Sequence, residues 1–555
     1  MKTTKLHAPT AMAICISMLI ATVTLLCPLF SSSSAAAQTI AAYETPEGFN
    51  DNDYQKMLAF LEYVGSSGSS NGYLLLGEDY DPNSPLSWRH VEVNDWGTTS
   101  WGVQWEQFDG EYHIIGIDSS FIDLEGPIDF SCFEHLAEVF LFDCVSGDIN
   151  VSYCPELSIL AATYGNAEIV DVRGCLQLNR VFLSDNKIKS IIGLEDCPNI
   201  QYLSVERNSE LRELDMSAFE YTLLYLFVDY TPISNIDFDN LWAILEVGCS
   251  NTAITAIDAS ACANLTFLDC KNDALEYLLL PQGENNLQVD CSNTGITELD
   301  VTGCHGIYQL NCSENPISTL DFSNSPWIQN IKAQNCNLDT LDVAGCENLM
   351  VVDCTNNNLS VLDVSASKGL MQLYCAGNKL ENIYWHINTD WDPETIVSLN
   401  SAGNGYIGIG FEVDEETFFA LNYFEATPEA GYKFVSWTDA NGNVVSTDAR
   451  FFYESWTNYE LYANFESTGE TPEPTDEPIP TDDPVPTDEP IPTDEPIPTD
   501  DPVSTDEPIP TDDPTEPTQN PDVPSIPSTG AVSLIGIGIA AVAAGAAAFF
   551  TRKED

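Results

Sequence analysis

Cysteine and aspartate recur in this chain at fixed spacing, and both are residue types that hold metals or react. Fifteen cysteines lie between Cys132 and Cys375, and Cys249, Cys270, Cys291, Cys312, Cys354 and Cys375 occupy one repeating position, with Ala333 in register. Thiolates bind zinc and attack electrophiles. Common zinc sites use C-x-x-C pairs, and the chain has none. An odd number of same-facing thiols also supplies no systematic set of disulfides. The column is expected to be free thiols serving as small apolar core residues. Asp215, Asp237, Asp258, Asp300, Asp321, Asp342 and Asp363 form a second column. Carboxylates suit calcium, but no D-x-[DN]-x-[DN]-G loop accompanies them, so they are expected to cap turns through backbone amides nearby. Catalysis finds little support. His7 lies in the N-terminal leader, and His90, His113, His135, His305 and His386 are scattered without H-E-x-x-H spacing; neither a nucleophile elbow nor a P-loop is expected. No catalytic residue, metal site or cofactor is assigned.

The elements that position these residues follow from the repeat itself. From Ile244 onward the pattern L-x-x-L-x-C-x-x-N-x-L-x-x-L-D-V returns every 21 residues, at Leu265, Asn286, Ile307, Ile328, Leu349 and Leu370. Divergent copies begin at Leu136, Leu157, Leu178, Ile200 and Leu223, giving about twelve units. The pattern resembles the leucine-rich repeat family, in particular the short-repeat kind of internalin-like bacterial surface proteins. The resemblance implies a curved, β-rich solenoid over 136–385, one short strand per repeat, with neighbours stacked because no repeat is stable alone. It also implies an asparagine ladder, which Asn208, Asn315, Asn357 and Asn378 fit, and which Asp273, Thr294 and Cys336 are expected to interrupt. So short a repeat leaves room on the convex side for extended or tightly turned chain rather than long helix.

Strand side chains alternate between faces, so the residues flanking the inward column point out of the concave face. They are Phe182, Tyr202, Tyr225, Phe227, Phe267 and Tyr374, mixed with Glu206, Asp229, Glu246, Asp269, Asp290 and Asp353. Aromatic anchors among charges are a recognition surface; the plainer reading is that some are cross-strand neighbours stabilising a sheet.

The flanks give the setting. Lys2 and Lys5 precede an apolar stretch ending in "SSSSAAAQ", which reads as a signal peptide over 1–37. In the cap region, 38–135, Tyr54, Met57, Leu58, Leu61 and Tyr63 have helical spacing and Trp88 follows in a turn-rich stretch. The segment from Asp53 to Trp105 resembles the helix-plus-tryptophan cap of extracellular leucine-rich repeat proteins. After Trp385 the period ends, and a linker and β unit occupy 386–466. "GYKFVSWTD", an Asn441-Gly442 hairpin signal and the closing "YELYANFE" make Ile407 to Glu466 resemble the divergent internalin B-repeat. Residues 467–525 repeat Pro, Thr, Asp and Glu and cannot bury a core, so they read as an extended stalk. Residues 526–555 hold "IPSTG", an apolar run at 531–550 long enough to span a bilayer, and a basic tail. Pro527, Thr529 and Gly530 resemble the LPxTG cell-wall sorting signal, with Ile526 in place of leucine. That implies cleavage between Thr529 and Gly530 by sortase and attachment to peptidoglycan.

With 86 acidic and 18 basic residues the formal charge is −68, which opposes binding to nucleic acid or anionic membrane surfaces. The chain reads as an exported, wall- or membrane-anchored surface protein of Gram-positive type. The expected role is an adhesin or receptor-like binder of a protein or glycan. A structural envelope or biofilm component acting by self-association is the alternative, and a wall-tethered glycan-processing enzyme a more remote one.

Overall fold

The computed structural model describes residues 43–469, apart from 95–96, 121, 123, 145–146, 220, 390–391, 414–419 and 454–457. The signal peptide at 1–37, nearly all of the stalk, the pentapeptide with Pro527, Thr529 and Gly530, and the apolar run at 531–550 lie outside the described residues.

One fifteen-stranded sheet organises the chain. It opens with β1 (Arg89–Asn94), β2 (Gly97–Phe108) and β3 (Glu111–Asp118), paired antiparallel. The other twelve strands, from Glu138–Phe140 to Gln372–Tyr374, run parallel, one per sequence repeat. Register is constant: Leu203 lies beside Leu226, Val247 beside Leu268 and Leu310 beside Ile331. These central residues are at most 2% exposed, so a one-residue slip would turn a whole strand's core side chain to water. The convex side is extended, as the repeat length requires, with short strands in three small sheets, among them Ser190–Ile192, Ala256–Asp258 and Thr319–Asp321. Between Leu178 and Leu223 the repeat spacing rises to 22 and then 23 residues. The surplus chain leaves the convex path irregular at 211–216, over a cavity of about 650 Å³ lined by Ile191, Leu214, Met216 and Leu241.

The thiols form two columns rather than one. The predicted column, Cys249 through Cys375, is at most 1% exposed. On the convex-to-concave turn a second column, Cys154, Cys175, Cys197, Cys262, Cys304 and Cys346, places each Sγ 3.1–3.5 Å from a carbonyl of the preceding repeat. Ser325 and Ser367 fill the same position and donate likewise. The weak S–H donor thus replaces a hydroxyl in a site that is otherwise apolar. Among the described residues fourteen cysteines are free, whereas Cys132 is disulfide-bonded.

The asparagine ladder is present in separate stretches, at Asn186 and Asn208 and again at Asn315, Asn357 and Asn378. Asn315 donates through Nδ2 to the carbonyls of Cys291 (2.8 Å) and Cys312 (2.9 Å), and its Oδ1 accepts the Thr294 amide at 3.0 Å. Asn186, Asn208, Asn357 and Asn378 repeat the pattern. The expected interruptions are substitutions that keep part of it. Thr294 Oγ1 donates to the Cys291 carbonyl at 3.0 Å, Cys336 Sγ lies 3.1 Å from the Cys312 carbonyl, and Asp273 Oδ1 accepts the Thr252 amide at 2.6 Å. The residue before each ladder position has positive φ, for example 57° at Asn251, 61° at Asn272 and 56° at Asn293, a conformation asparagine tolerates. On the opposite turn Asn199, Asn264, Asn285 and Asn348 form a second ladder to carbonyls of the preceding repeat. The aspartate column caps turns: Asp258, Asp300 and Asp363 accept amides two residues on at 2.9–3.1 Å, and Asp237 accepts the Asn240 amide group.

Both ends of the array are covered. Helix α1 (Asp51–Leu61), capped by the Asn50 side chain, buries Tyr54, Met57, Leu58, Phe60 and Leu61 against the first repeats. Trp88, fully buried, stacks on Tyr54 at 5.6 Å. Asp53 accepts the Ile114 amide at 3.0 Å, which ties the helix to β3. Against the expectation above, Gly68-Ser69-Ser70-Asn71-Gly72 has the G-x-S-x-G spacing of a nucleophile elbow. Ser70 there caps the short helix α2 (Asn71–Leu76) through the Tyr73 amide. At the far end the strand Gly405–Val413 lies against Gln372–Tyr374, with the Ile409 carbonyl accepting the Cys375 amide at 2.7 Å and the Ala376 amide at 2.9 Å. Trp385 Nε1 donates to the Leu370 carbonyl at 2.9 Å. The rest of the C-terminal unit is a five-stranded sheet facing a three-stranded one, with Phe424, Trp437 and Leu461 between them.

Candidate recognition surface on the concave face

The central strand residue of each repeat points inward, so its two neighbours project from the concave face. Phe182, Tyr202, Tyr225 and Phe227 lie on three consecutive strands, with Tyr202 beside Tyr225 and Ser204 beside both Phe182 and Phe227. Their rings meet: Phe182 and Tyr202 are 4.7 Å apart, and Tyr202 is 5.6 Å from both Tyr225 and Phe227. All four are half-buried, because the small Ser204 between the two phenylalanines lets the rings lean together. They form one aromatic pavement open to solvent.

Carboxylates border it. Glu246 is in register with Tyr225 on one side and Phe267 on the other. Glu206 accepts the Ser204 hydroxyl at 3.0 Å, and Asp229 accepts the Ser250 amide at 2.9 Å. Gly248 stands beside Phe227, and a Cβ there would lie 2.5 Å from Asp229 Oδ2 and 2.9 Å from the Phe227 ring. The missing side chain is what lets Phe227 and Asp229 lean over that strand. Burial pushes Asp229 up to about 6, with Glu206 and Asp269 adding to the effect against the Ser250 amide. Burial also raises Glu246, and burial with the charges of Glu206 and Glu246 raises Tyr202 to about 12.

The other predicted residues are placed differently. Phe267 borders the pavement through Glu246 without joining its ring contacts. Asp269 is paired with Lys271 at 2.5 Å and also accepts the Ser250 hydroxyl. Tyr374 lies five strands beyond Phe267 and packs on Phe411 of the C-terminal unit at 4.7 Å, so it belongs to the closure of the array. Sequence reasoning missed Gly248 and an amide-rich stretch of the same face, Gln288, Gln309, Asn311 and Asn330. The signal available was the repeat register itself, which places them in the columns that hold the aromatic residues earlier in the array.

Residues 397–469 match the family model described as the Divergent InlB B-repeat domain. Among solved structures the chain is similar to the functional domain of InlJ from Listeria monocytogenes, which includes a cysteine ladder, at 16% identity and a TM-score of 0.41, over 58% of this chain and 94% of that one. It is similar to the internalin InlF from Listeria monocytogenes at 16% identity and a TM-score of 0.38, over 47% and 81% of the two chains. YopM from Yersinia enterocolitica gives 17% identity and a TM-score of 0.36, over 48% and 66%. No curated protein matches the chain.

Proposed function

We propose that this chain is a cell-surface recognition protein, adhesin-like or receptor-like, that binds a protein or glycan on its concave face. The observation carrying the proposal is the pavement of Phe182, Tyr202, Tyr225 and Phe227, four contacting rings on the solvent side of a sheet whose core lies on the other side. Clustered, partly desolvated aromatic residues with a charged rim have the composition of an interface centre. The proposed leader would export the chain, and sortase would join Thr529 to peptidoglycan after cutting before Gly530, with Pro527 read as part of the signal.

The test is capture of purified matrix proteins, mucin and wall polysaccharide by the full chain and by its Tyr225→Ala/Phe227→Ala variant. A ligand held by the parent and released by the variant supports the reading. Equal capture by both removes the concave face from consideration, and recovery of only the chain itself favours the self-associating envelope component.

A further inference from the structure

The pavement is bordered by negative charge that the protein itself leaves unneutralised. Glu206, Asp229 and Glu246 surround four rings, and among the described residues none of the three pairs with a cation, although two nearby cations are engaged elsewhere. Arg207 is held by Asp185 at 2.7 Å and Lys271 by Asp269 at 2.5 Å. Arg180, in register with Tyr202, is exposed and forms no ion pair with them. The hydrogen bonds that Glu206 and Asp229 accept come from Ser184, Ser204 and Ser250, so the site holds acceptors in excess of donors. Resting on the concave-face reading above, we propose that its ligand is an extended polypeptide segment bearing lysine or arginine, with cationic side chains over the Phe182, Tyr202 and Phe227 rings, one paired to Glu206 and Asp229 and another to Glu246.

Three physical arguments favour this occupant. A cation near aromatic ring faces gains ~0.5–2 kcal/mol, more as water is excluded, and here rings and carboxylates converge on the same patch. A neutral ligand would bury the carboxylates further without compensating them, and burying an unpaired charge is costly. The raised proton affinities of Asp229 and Glu246 report that burial is already felt by the unliganded face. The length of the surface favours a polypeptide over a small amine. From the strand Arg180–Phe182 to the strand Asn330–Lys332 there are eight neighbouring strands in the sheet. At ~4.8 Å spacing they span ~34 Å, which matches about ten residues of extended chain. Gln288, Gln309, Asn311 and Asn330 follow the pavement along that path, and their amides can both donate to and accept from a peptide backbone.

The experiment is calorimetric titration of the full chain, at pH 7.5 and about 0.15 M salt, with a Lys/Gly peptide of about ten residues. A Gln/Gly peptide of the same length and a neutral N-acetylhexosamine oligosaccharide are the comparators. Because the stalk is acidic, the reading is the saturable one-to-one component, which weak binding along the stalk does not supply. The expected result is a one-to-one site for the lysine peptide alone, weakened at least about tenfold in Glu206→Gln/Asp229→Asn and again below about pH 6 as Asp229 takes up a proton. These isosteric amides keep the side-chain volumes, and an unchanged melting curve confirms that the variant is folded. Three outcomes overturn the proposal: no one-to-one component with the parent, undiminished affinity in the amide variant, or equal or tighter binding of either neutral probe. If Tyr225→Ala/Phe227→Ala loses a ligand in the capture assay while Glu206→Gln/Asp229→Asn retains it, the concave-face reading stands and the cationic one falls. If both variants retain it, both readings fall.

Discussion

Replacing Asp273 by asparagine should stabilise the protein, and by an amount that grows with pH. Asp273 sits at the ladder position, is 4% exposed, and uses Oδ1 to accept the amide and hydroxyl of Thr252. Its Oδ2 has no hydrogen-bond partner. At the equivalent position Asn315 aims an N–H₂ group at two carbonyls, and a carboxyl can imitate that only while it carries a proton. Burial, opposed by Thr252 and assisted by Asp229 and Asp269, moves Asp273 from an ordinary 3.8 to about 7. Between these values the folded chain holds a proton that the unfolded chain has released. Stability therefore falls as pH rises through this window, at about 1.4 kcal/mol per pH unit. The full cost, reached above about pH 7, is on the order of 4 kcal/mol. Asparagine removes it and restores donors for the carbonyls of Cys249 and Cys270. Urea unfolding of parent and variant at pH 5 and pH 8, followed by tryptophan fluorescence, should show the advantage of asparagine larger at pH 8 by about 3 kcal/mol. Taking the difference between the two proteins cancels the other carboxylates. An equal gain at both pH values, or a loss at both, would refute the argument that Asp273 is a neutral acid in the folded array.

Other consequences are open to direct measurement. A Cβ at Gly408 would stand 2.4 Å from the Ala376 Cα, so Gly408→Ala should loosen the C-terminal unit from the last repeat at a cost of about 1–3 kcal/mol; proteolysis near residue 380 no faster than in the parent would count against that contact. Burial pushes Cys304 up to about 11 and Cys346 up to about 12, so at pH 8 the thiolate fraction is roughly one part in a thousand or less. The buried thiols should therefore resist a thiol reagent until denaturant is added, and rapid labelling of the native chain would contradict this. Trp88→Ala, which empties a fully buried site against Tyr54, should lower stability by about 3–5 kcal/mol, with an unchanged melting curve as the contrary result. Mass spectrometry of protein released from the cell wall should find a chain ending at Thr529, and recovery of the intact "TRKED" terminus would exclude sortase processing.

The architecture was legible in the sequence because a period of 21 residues is written into both the core and the turns. The inward leucine, valine and cysteine positions fix the strand and its register, and twelve copies gave twelve parallel strands. What was less legible depends on contacts that skip a whole repeat. Cys154 and Cys346 looked like further members of one thiol set, since their carbonyl partners lie 24 residues earlier and no local pattern marks them. Asp273, Thr294 and Cys336 read as breaks because only asparagine was expected to satisfy those carbonyls, yet a hydroxyl or thiol at the same place can also reach them. On the concave face the alternation of strand residues puts Phe182, Tyr202, Tyr225 and Phe227 on one side of the sheet, where their rings meet. It also grouped Tyr374 with them, although five strands separate it from Phe267 and its ring contact is to Phe411. Alternation reports which face a residue occupies and carries no information on distance along the array.

The constancy of the ladders has a consequence for how such a chain can change over generations. Interior turns that keep the ladder asparagine present like surfaces above and below, with the amide of Asn357 reaching back to Ala333 much as that of Asn315 reaches back to Cys291. Duplication or loss of one whole unit leaves helix α1 and the strand Gly405–Val413 still seated on an unaltered first and last turn. The length of the array is therefore an inheritable variable separable from its folding, and the footprint offered to a ligand can grow or shrink in steps of one strand. Insertions that are not a whole unit lack this freedom, and the 22- and 23-residue spacings before Leu223 mark where odd residues were absorbed on the convex side, leaving the concave register intact.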